Sequence, residues 1–399
     1  MADLDANDIY NYAMIMGYTY TGDRTSPPVR FFPSQSFHTS WAGSASYPDA
    51  QNLTDAMNQT MKESFVCGVR NHRVNAQDQG STLSAKSDYA YLTGWYCPAS
   101  AGSPSETCGL EPSQYSKKLC KPFMAFRGTN NMENWLTNNL SLCNMHASSI
   151  MDNGMYPADP GGSSVPKVAD GFWNGGKSWC NTEDPGPGYT DIRASVQDFI
   201  EDNQDQDVLF LGHSLGGAFA TFAVADAVYS SKPPKSVSSV TYNPPRSVND
   251  VIIDKIESYS GSHNMIINDK DIVHLVPPAE PSQTRHLGNV YINRTTPTPT
   301  QIVPGDIYSC GKISSAAYPE FVGVMLNLAM RKLDSENTIF DTILYEHVFN
   351  VYGSAPGAST TDYTTKVVRT EACSPKDYSY TNPVRDSVGL GLERLLRTM

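Results

Sequence analysis

Residues 208–217, which read VLFLGHSLGG, decide the fold of this chain. The apolar run 208–211 predicts a buried strand, and the small and apolar residues from 215 onward predict a helix. A serine at the sharp turn between them must take a strained backbone conformation, and a side chain two residues to either side would collide with the turn. Gly212 and Gly216 meet this requirement, so the Ser214 hydroxyl is predicted to project above the sheet. The helix that follows would offer its free N–H groups and positive dipole end to a developing anion.

The composition argues against several classes of function. With 399 residues the chain is long enough to bury a large core within one domain. Charged residues make up only 18% and the net charge is −12 with 29 Lys and Arg, which argues against a protein that binds nucleic acid or anionic membranes through charge. Because no run of 18 apolar residues occurs, no transmembrane segment is predicted.

Signals for the compartment point in two directions. Residues 1–8 are acidic and lack the basic start and apolar core of a secretory signal, which favours the cytoplasm. The eight cysteines are an even number, and Cys97, Cys108 and Cys120 lie in a loop rich in Gly, Ser and Pro that is typical of a disulfide-stapled segment. Four Asn-x-Ser/Thr sequons begin at Asn52, Asn58, Asn139 and Asn293. We therefore expect an extracellular or secretory-pathway protein, with a cytoplasmic location as the alternative.

Hydrophobic periodicity places strands and helices alternately along the chain. Strands are predicted at 89–96, 122–126, 208–211, 237–242, 265–267 and 290–292. Helices are predicted within 1–20 and at 50–69, 190–203, 215–229, 321–333 and 342–351. The helix at 50–69 rests on the i, i+4 spacing of Leu53, Met57, Met61 and Phe65. This alternation predicts an α/β fold whose central, mostly parallel sheet is covered by helices on both faces.

A serine nucleophile at residue 214 would need a base, a carboxylate that orients the base, and donors for the oxyanion. In hydrolases with this turn, the partners follow in the order Ser, Asp, His. The acidic candidates at a strand end are Asp269 and Asp271, and the histidines downstream are His263, His274, His286 and His347. His213 would point away from the chemistry if Ser214 points toward it, so it is predicted to be a packed core residue.

Six separate segments carry a resemblance to a known family. They are FRGT at 126–129 with NWL at 134–136, VADGF at 168–172, GHSLGG at 212–217, NDKDIV at 268–273 with PP at 277–278, RHLGNVY at 285–291, and EHVFNVY at 346–352. Together and in this order they resemble the class 3, or fungal-type, lipases of the α/β-hydrolase fold. The resemblance covers a core of about 120–352 within one predicted domain, 1–399. It leaves an N-terminal extension, 1–119, and a C-terminal tail, 353–399, to which no role is assigned.

The resemblance implies a catalytic triad and an oxyanion hole. Matched position by position, Ser214 would be the nucleophile, Asp271 the orienting acid and His347 the general base. The backbone N–H groups of Thr129 and Leu215 would form the oxyanion hole. Asp269, which follows the same predicted strand, stays open as the alternative acid, and His286 as the alternative base.

A second implication concerns a lid. Apolar side chains recur at helical i, i+3, i+4 and i+8 spacing at Met132, Trp135, Leu136 and Leu140. In the resembling family this segment is an amphipathic helix that covers the site in water and turns its apolar face to lipid. Trp135 would then supply an interfacial anchor with a polar N–H. The alternative is a fixed core helix.

These observations predict a serine carboxylic-ester hydrolase that acts on glycerolipids, as a triacylglycerol lipase does, through an acyl-enzyme. The partners expected are a lipid or other ester substrate and a lipid–water interface. No metal or organic cofactor is predicted, since no C-x-x-C pair occurs and no His stands at zinc spacing from the cysteines. Two alternatives stay open: a feruloyl or other polysaccharide-acyl esterase of the same fold, and a non-catalytic lipid-binding module.

Overall fold

A computed structural model describes residues 4, 6–21, 50–59, 61–74, 89–128, 145–147, 166–173, 189, 192–268, 273–275, 286–293 and 367–369. Ten strands lie within these residues: β1 Ser64–Val74, β2 Tyr89–Pro98, β3 Lys121–Phe126, β4 Met145–Ala147, β5 Lys167–Ala169, β6 Asp207–His213, β7 Ser236–Tyr242, β8 His263–Asn268, β9 Asn289–Asn293 and β10 Val367–Arg369. Eight of them form one sheet in the order β1-β2-β3-β6-β7-β8-β9-β10, and β4 pairs with β5.

The centre of the large sheet is parallel. The strands from β3 through β6, β7 and β8 to β9 pair in parallel, whereas β1, β2 and β10 add antiparallel edges. Parallel strands need crossover connections, and helices supply several of them here. The helices are α1 Ala6–Thr21, α2 Ala50–Asn58, α3 Pro104–Thr107, α4 Pro112–Tyr115, α5 Asp170–Trp173, α6 Arg193–Asp202, α7 Leu215–Tyr229 and α8 Asp250–Glu257. The predicted α/β class and mostly parallel sheet are confirmed.

Both faces of the central strands are buried. Val208 and Phe210 of β6 join a larger core that includes residues of α7, whereas Leu209 and Leu211 join a second core that includes residues of α1. Successive side chains of a strand point to opposite faces, so a strand covered on both sides must be apolar throughout. This explains the uninterrupted VLFL run. Every residue of α7 is itself buried, which explains why its sequence is apolar on all sides.

The helix predicted at 50–69 is wrong in its second half. α2 ends at Asn58, and β1 begins at Ser64. The Asn58 side chain accepts a hydrogen bond from the Val66 N–H at 2.8 Å and donates to the Val66 C=O at 2.9 Å. Phe65 and Val66 lie in different apolar clusters, as the period of two in a strand requires. The i, i+4 spacing that runs on to Met61 and Phe65 therefore does not reflect a helix, because pairing of β1 with β2 decides the structure of this segment.

Two disulfides staple the segment that precedes β3. Cys97 at the end of β2 is bonded to Cys120 just before β3, which confirms the predicted stapled loop, and Cys108 is bonded to Cys67 of β1. The four sulfurs lie in a small apolar cluster with Phe65, Ala101 and Tyr115. This cluster adjoins the amino end of β3. Because β3 and β6 are parallel, that end lies on the opposite side of the sheet from the carboxyl end of β6. Among the described residues, none of the helices has the length and apolar character that a membrane crossing requires.

Candidate active site

Ser214 occupies the turn between β6 and α7 in a strained backbone conformation. Its φ of 56° and ψ of −127° lie outside the regions that a residue with a side chain favours, and such strain costs about 1–3 kcal/mol. Backbone hydrogen bonds hold it on both sides: the Ser214 N–H donates to the Tyr242 C=O of β7 at 2.9 Å, and the Ser214 C=O accepts from the Gly217 N–H at 2.8 Å. The predicted strand, turn and helix are therefore confirmed.

The glycines of the serine turn, residues 212–217, are required by backbone contacts. A Cβ on Gly212 would lie 2.0 Å from the Gly216 carbonyl oxygen, and a Cβ on Gly216 would lie 2.1 Å from the Phe126 carbonyl oxygen. On Gly217 it would lie 2.6 Å from the Pro244 Cβ. The first contact is the collision within the turn that the sequence predicted. The other two bring α7 against the end of β3 and the loop after β7, which the sequence did not indicate.

This packing brings the start of α7 next to the chain that leaves β3. Leu215 is the first residue of α7, where helix geometry provides no carbonyl partner for the N–H. Phe126, Arg127 and Gly128 are buried beside it, and Gly128 is the last described residue of that segment. An N–H at this position, together with the helix dipole, can stabilise the negative charge that forms on a carbonyl oxygen when the Ser214 hydroxyl attacks the carbonyl carbon.

Ser214 and Leu215 are the predicted site residues that the structure describes. The remaining ones lie outside the described residues: Thr129, Asp271, His347, and the predicted lid positions Met132, Trp135, Leu136 and Leu140. The same holds for Asp269, the alternative acid. β8 runs parallel to β7, which runs parallel to β6. The chain therefore leaves β8 at Asn268 on the side of the sheet where β6 also ends and Ser214 follows. Asp271 follows three residues later in the sequence.

Three of the described histidines can be assessed as the base for Ser214 from their places in the fold. His213 is fully buried, as expected for a core residue. His286 uses its Nε2 to donate to the His274 C=O at 2.7 Å, which gives it a structural contact. His263 is the first residue of β8 and lies at the amino ends of the parallel strands, whereas the serine turn lies at their carboxyl ends. Its position there makes it unsuitable as the base for Ser214.

His263 does have a serine partner, and the pair needs separate consideration. Its Nδ1 lies 3.0 Å from the Ser239 Oγ, a spacing that a nucleophile and its base would also show. Ser239, however, lies inside β7, where no sharp turn and no helix start provide oxyanion donors. Burial lowers the pKa of His263 to about 4, so the ring is neutral and poorly suited to take up a proton. The Ser239–His263 pair is therefore a core contact.

Two groups that fasten β7 and α7, the elements on either side of the serine turn in space, to the rest of the fold were not identified from the sequence. Tyr242 accepts the Ser214 N–H through its backbone, and its hydroxyl donates to the Ile9 C=O at 2.6 Å, which fastens α1 beneath the turn. On α7, Asp226 is buried and accepts hydrogen bonds from the Arg193 Nη2 at 2.9 Å and the Tyr189 hydroxyl at 3.0 Å. Burial raises the pKa of Asp226, and Arg193 opposes that shift. Neither group belongs to a local motif, because the partners are far apart in sequence.

Comparison with known proteins agrees with this geometry. The family model described as Lipase (class 3) matches residues 123–280, which include β3, the serine turn and β8. A structure of a Rhizomucor miehei lipase propeptide complex, in a deletion-mutant form, is 18% identical, with 72% of this chain and 66% of that chain covered and a TM-score of 0.38.

Two further solved structures are lipases. A triacylglycerol lipase from Penicillium expansum is 16% identical, with 74% of this chain and 82% of that chain covered and a TM-score of 0.37. Lipase II from Rhizopus niveus is 17% identical, with 72% and 80% covered and a TM-score of 0.37. The family model by itself matches the segment from 123 to 280 to the class 3 lipases, as the motifs of the sequence predicted.

Proposed function

We propose that the chain is a serine carboxylic-ester hydrolase that acts on glycerolipids, in the manner of a triacylglycerol lipase. The observation that carries the proposal is the strained Ser214, at a turn whose glycines admit no side chain and whose helix starts with the Leu215 N–H. Strain of this kind costs stability and persists where the surrounding structure imposes it, typically at functional sites. The class 3 lipase match over 123–280 supports an ester or lipid substrate.

In the proposed reaction His347 takes the proton from the Ser214 hydroxyl as the oxygen attacks the ester carbonyl carbon. The negative charge that forms on the carbonyl oxygen is held by the N–H groups of Leu215 and Thr129. The C–O bond to the alcohol then breaks, and His347 gives its proton to the departing alcohol. Water, deprotonated by His347, attacks the acyl carbon; the bond to the Ser214 oxygen breaks, that oxygen takes the proton back from His347, and the acid leaves, while Asp271 orients the imidazole throughout. No metal or organic cofactor is needed for these steps.

Substitution of the nucleophile tests this proposal. Ser214→Ala should lower turnover of a short-chain aryl ester about 10⁴-fold or more and abolish covalent labelling by a fluorophosphonate. Ser239→Ala is the matched control, since that serine is also buried and its Oγ lies within hydrogen-bond distance of a histidine. It should keep full labelling. Hydrolysis retained by Ser214→Ala would refute the assignment, and labelling that followed Ser239 would place the nucleophile there.

A substrate panel tests the choice of ester. Rates on tributyrin, triolein, a phosphatidylcholine and methyl ferulate should be compared below and above the concentration at which each aggregates. We expect glycerolipid esters to be the best substrates, with a rise in rate when an interface forms, as a lid at Met132, Trp135, Leu136 and Leu140 would cause. Preference for methyl ferulate would support the polysaccharide-acyl esterase alternative. A chain that binds lipid but hydrolyses none of the four would be a non-catalytic module.

We also propose an extracellular or secretory-pathway location and a single domain for 1–399. The two disulfides, Cys67–Cys108 and Cys97–Cys120, support that location because such bonds persist in oxidising compartments. The sequon at Asn58 is a poor candidate for glycosylation, since both ends of that amide are hydrogen-bonded to Val66. Mass analysis of protein recovered from the culture medium, before and after removal of N-linked glycans, would check the location and the absence of a glycan on Asn58.

A further inference from the structure

We infer that His286 is a positioning residue that holds the short 3-10 turn Val273–Leu275 and thereby orients the segment on which the catalytic acid stands. The inference rests on the proposed function, in which Asp271, two residues before this turn in the sequence, orients the general base. It assigns to the histidine of the RHLGNVY segment an effect on the reaction rate, exerted through the turn.

The contact that carries the inference joins two chain segments across the core. The His286 Nε2 lies 2.7 Å from the His274 carbonyl oxygen, and the centroids of the two imidazole rings are 6.2 Å apart. Val273 and His274 are each 3% exposed. Val273 and Leu287, the neighbours of this bonded pair, both belong to the larger core. The hydrogen bond therefore fixes the turn at a buried position, where its backbone has little freedom to move.

The His274 carbonyl fixes the direction of this hydrogen bond, and the neutral state of His286 then fixes its tautomer. The titratable groups around it are Arg246 in the loop after β7, His274 in the turn, His263 at the start of β8 and Glu257 at the end of α8, which accepts from the Gly288 N–H. Burial, with help from Arg246 and His274, holds the pKa of His286 well below its ordinary value. A carbonyl oxygen only accepts, so the neutral ring must carry its proton on Nε2.

The surroundings of His286 keep the ring in place. It lines a small cavity together with hydroxyl groups of Thr221 on α7, Ser239 and Thr241 on β7, and Ser247 in the loop after β7. Pro244 and Pro245 form part of the same wall, and Pro244 is the residue against which Gly217 of the serine turn packs. His286 and the loop that packs against α7 therefore line the same cavity.

Loss of the hydrogen bond should act on the reaction through the proposed acid. A carboxylate close to the imidazole raises the pKa of the base and fixes its tautomer, so a displaced carboxylate lowers both that pKa and the rate. A shift of about 1 Å in a catalytic group lowers the reaction rate by about 10²-fold. A purely structural role for His286 would instead reduce the amount of folded enzyme and leave the rate per active site unchanged.

The experiment uses the full chain with active sites counted by fluorophosphonate titration. His286→Leu should lower kcat per titrated site by about 10- to 100-fold, leave KM within about twofold, and move the acid limb of kcat/KM to lower pH. His286→Gln, whose amide can donate to the same carbonyl, should restore most of the rate. His72→Leu is the control, because that histidine is also partly buried and its Nε2 also makes a hydrogen bond, to the Thr93 Oγ1 at 2.9 Å on the edge strands.

The outcomes separate the inference from the proposed function. If His286→Leu loses only titratable sites, with kcat per site and the acid limb unchanged, the inference is overturned while the proposed function stands. If the parent enzyme neither titrates nor hydrolyses esters, the proposed function fails and the inference falls with it. Should His286→Leu not fold, His286→Asn takes its place, since its amide is too short to reach the carbonyl. Parent-like kcat and acid limb in that variant would overturn the inference equally.

Discussion

Replacing Gly216 with alanine tests the physical account of the serine turn. The added Cβ would lie 2.1 Å from the Phe126 carbonyl oxygen and 2.7 Å from that of Arg127. An ordinary contact at this kind of position is 3.4 Å or longer, so α7 and the end of β3 would have to separate by about 1.3 Å. Both contacted atoms are backbone atoms, which cannot rotate out of the way.

Two effects are expected from Gly216→Ala. Overpacking of a buried contact costs about 1–3 kcal/mol of unfolding free energy, which urea titration would measure. The rate should fall as well, because the separation moves Ser214 and Leu215 away from the chain that leads to Thr129. A displacement of about 1 Å costs about 10²-fold in kcat/KM on a short-chain ester.

Gly109→Ala is the matched control for this experiment. Its Cβ would meet only the Ser105 carbonyl oxygen, at 3.4 Å, and Gly109 lies in the disulfide-stapled segment far from the serine turn. We expect a stability change within about 0.5 kcal/mol and parent-like activity. The reasoning would be refuted by a Gly216→Ala protein that is as stable and as active as the Gly109→Ala protein.

Three further predictions concern other parts of the fold. Replacing Cys97 and Cys120 together by serine opens a loop of 23 residues, which should cost about 3 kcal/mol by chain entropy, lower Tm, and leave kcat unchanged. The folded-state pKa of His263, about 4, lies below the unfolded value of 6.5, so the free energy of unfolding should fall as pH drops from 6.5 to 4. In His263→Gln, urea titrations at several pH values should show a free energy of unfolding that depends less on pH over this range. Arg193→Met removes the cationic partner of buried Asp226. Because burial raises the pKa of that carboxyl and the neutral form needs no cation, the loss of unfolding free energy should shrink as the pH is lowered; a loss that is independent of pH would contradict this account.

Local sequence signals predicted the elements that surround the reaction centre. α7 runs from Leu215 to Tyr229, as expected, and the strands β3, β6, β7, β8 and β9 lie where periodicity indicated them, within two residues at each end. The turn at Ser214 was predictable because its steric demand acts within four residues, from Gly212 to the Gly216 carbonyl. Asp271, His347 and Thr129, which rest on motif resemblance, stay predictions, as do the lid residues.

Periodicity failed where contacts between distant segments decided the structure. At residues 59–69, helical spacing continued, but the Asn58 amide and pairing with β2 made a strand. The pairing of Cys108 with Cys67 could not be chosen from eight cysteines. The family match covers the core and says nothing about either choice.

The amino-acid sequence by itself determined the serine turn, since the clash that forbids a side chain at Gly212 involves the turn's own Gly216 carbonyl. Only the tertiary structure decided that Gly216 must face the Phe126 carbonyl, that Tyr242 holds Ser214 and Ile9 together, and that His286 bonds to His274. These contacts join residues that are 12 to 233 positions apart. No local period encodes such pairs, because the partner is supplied by whichever strand the sheet places alongside.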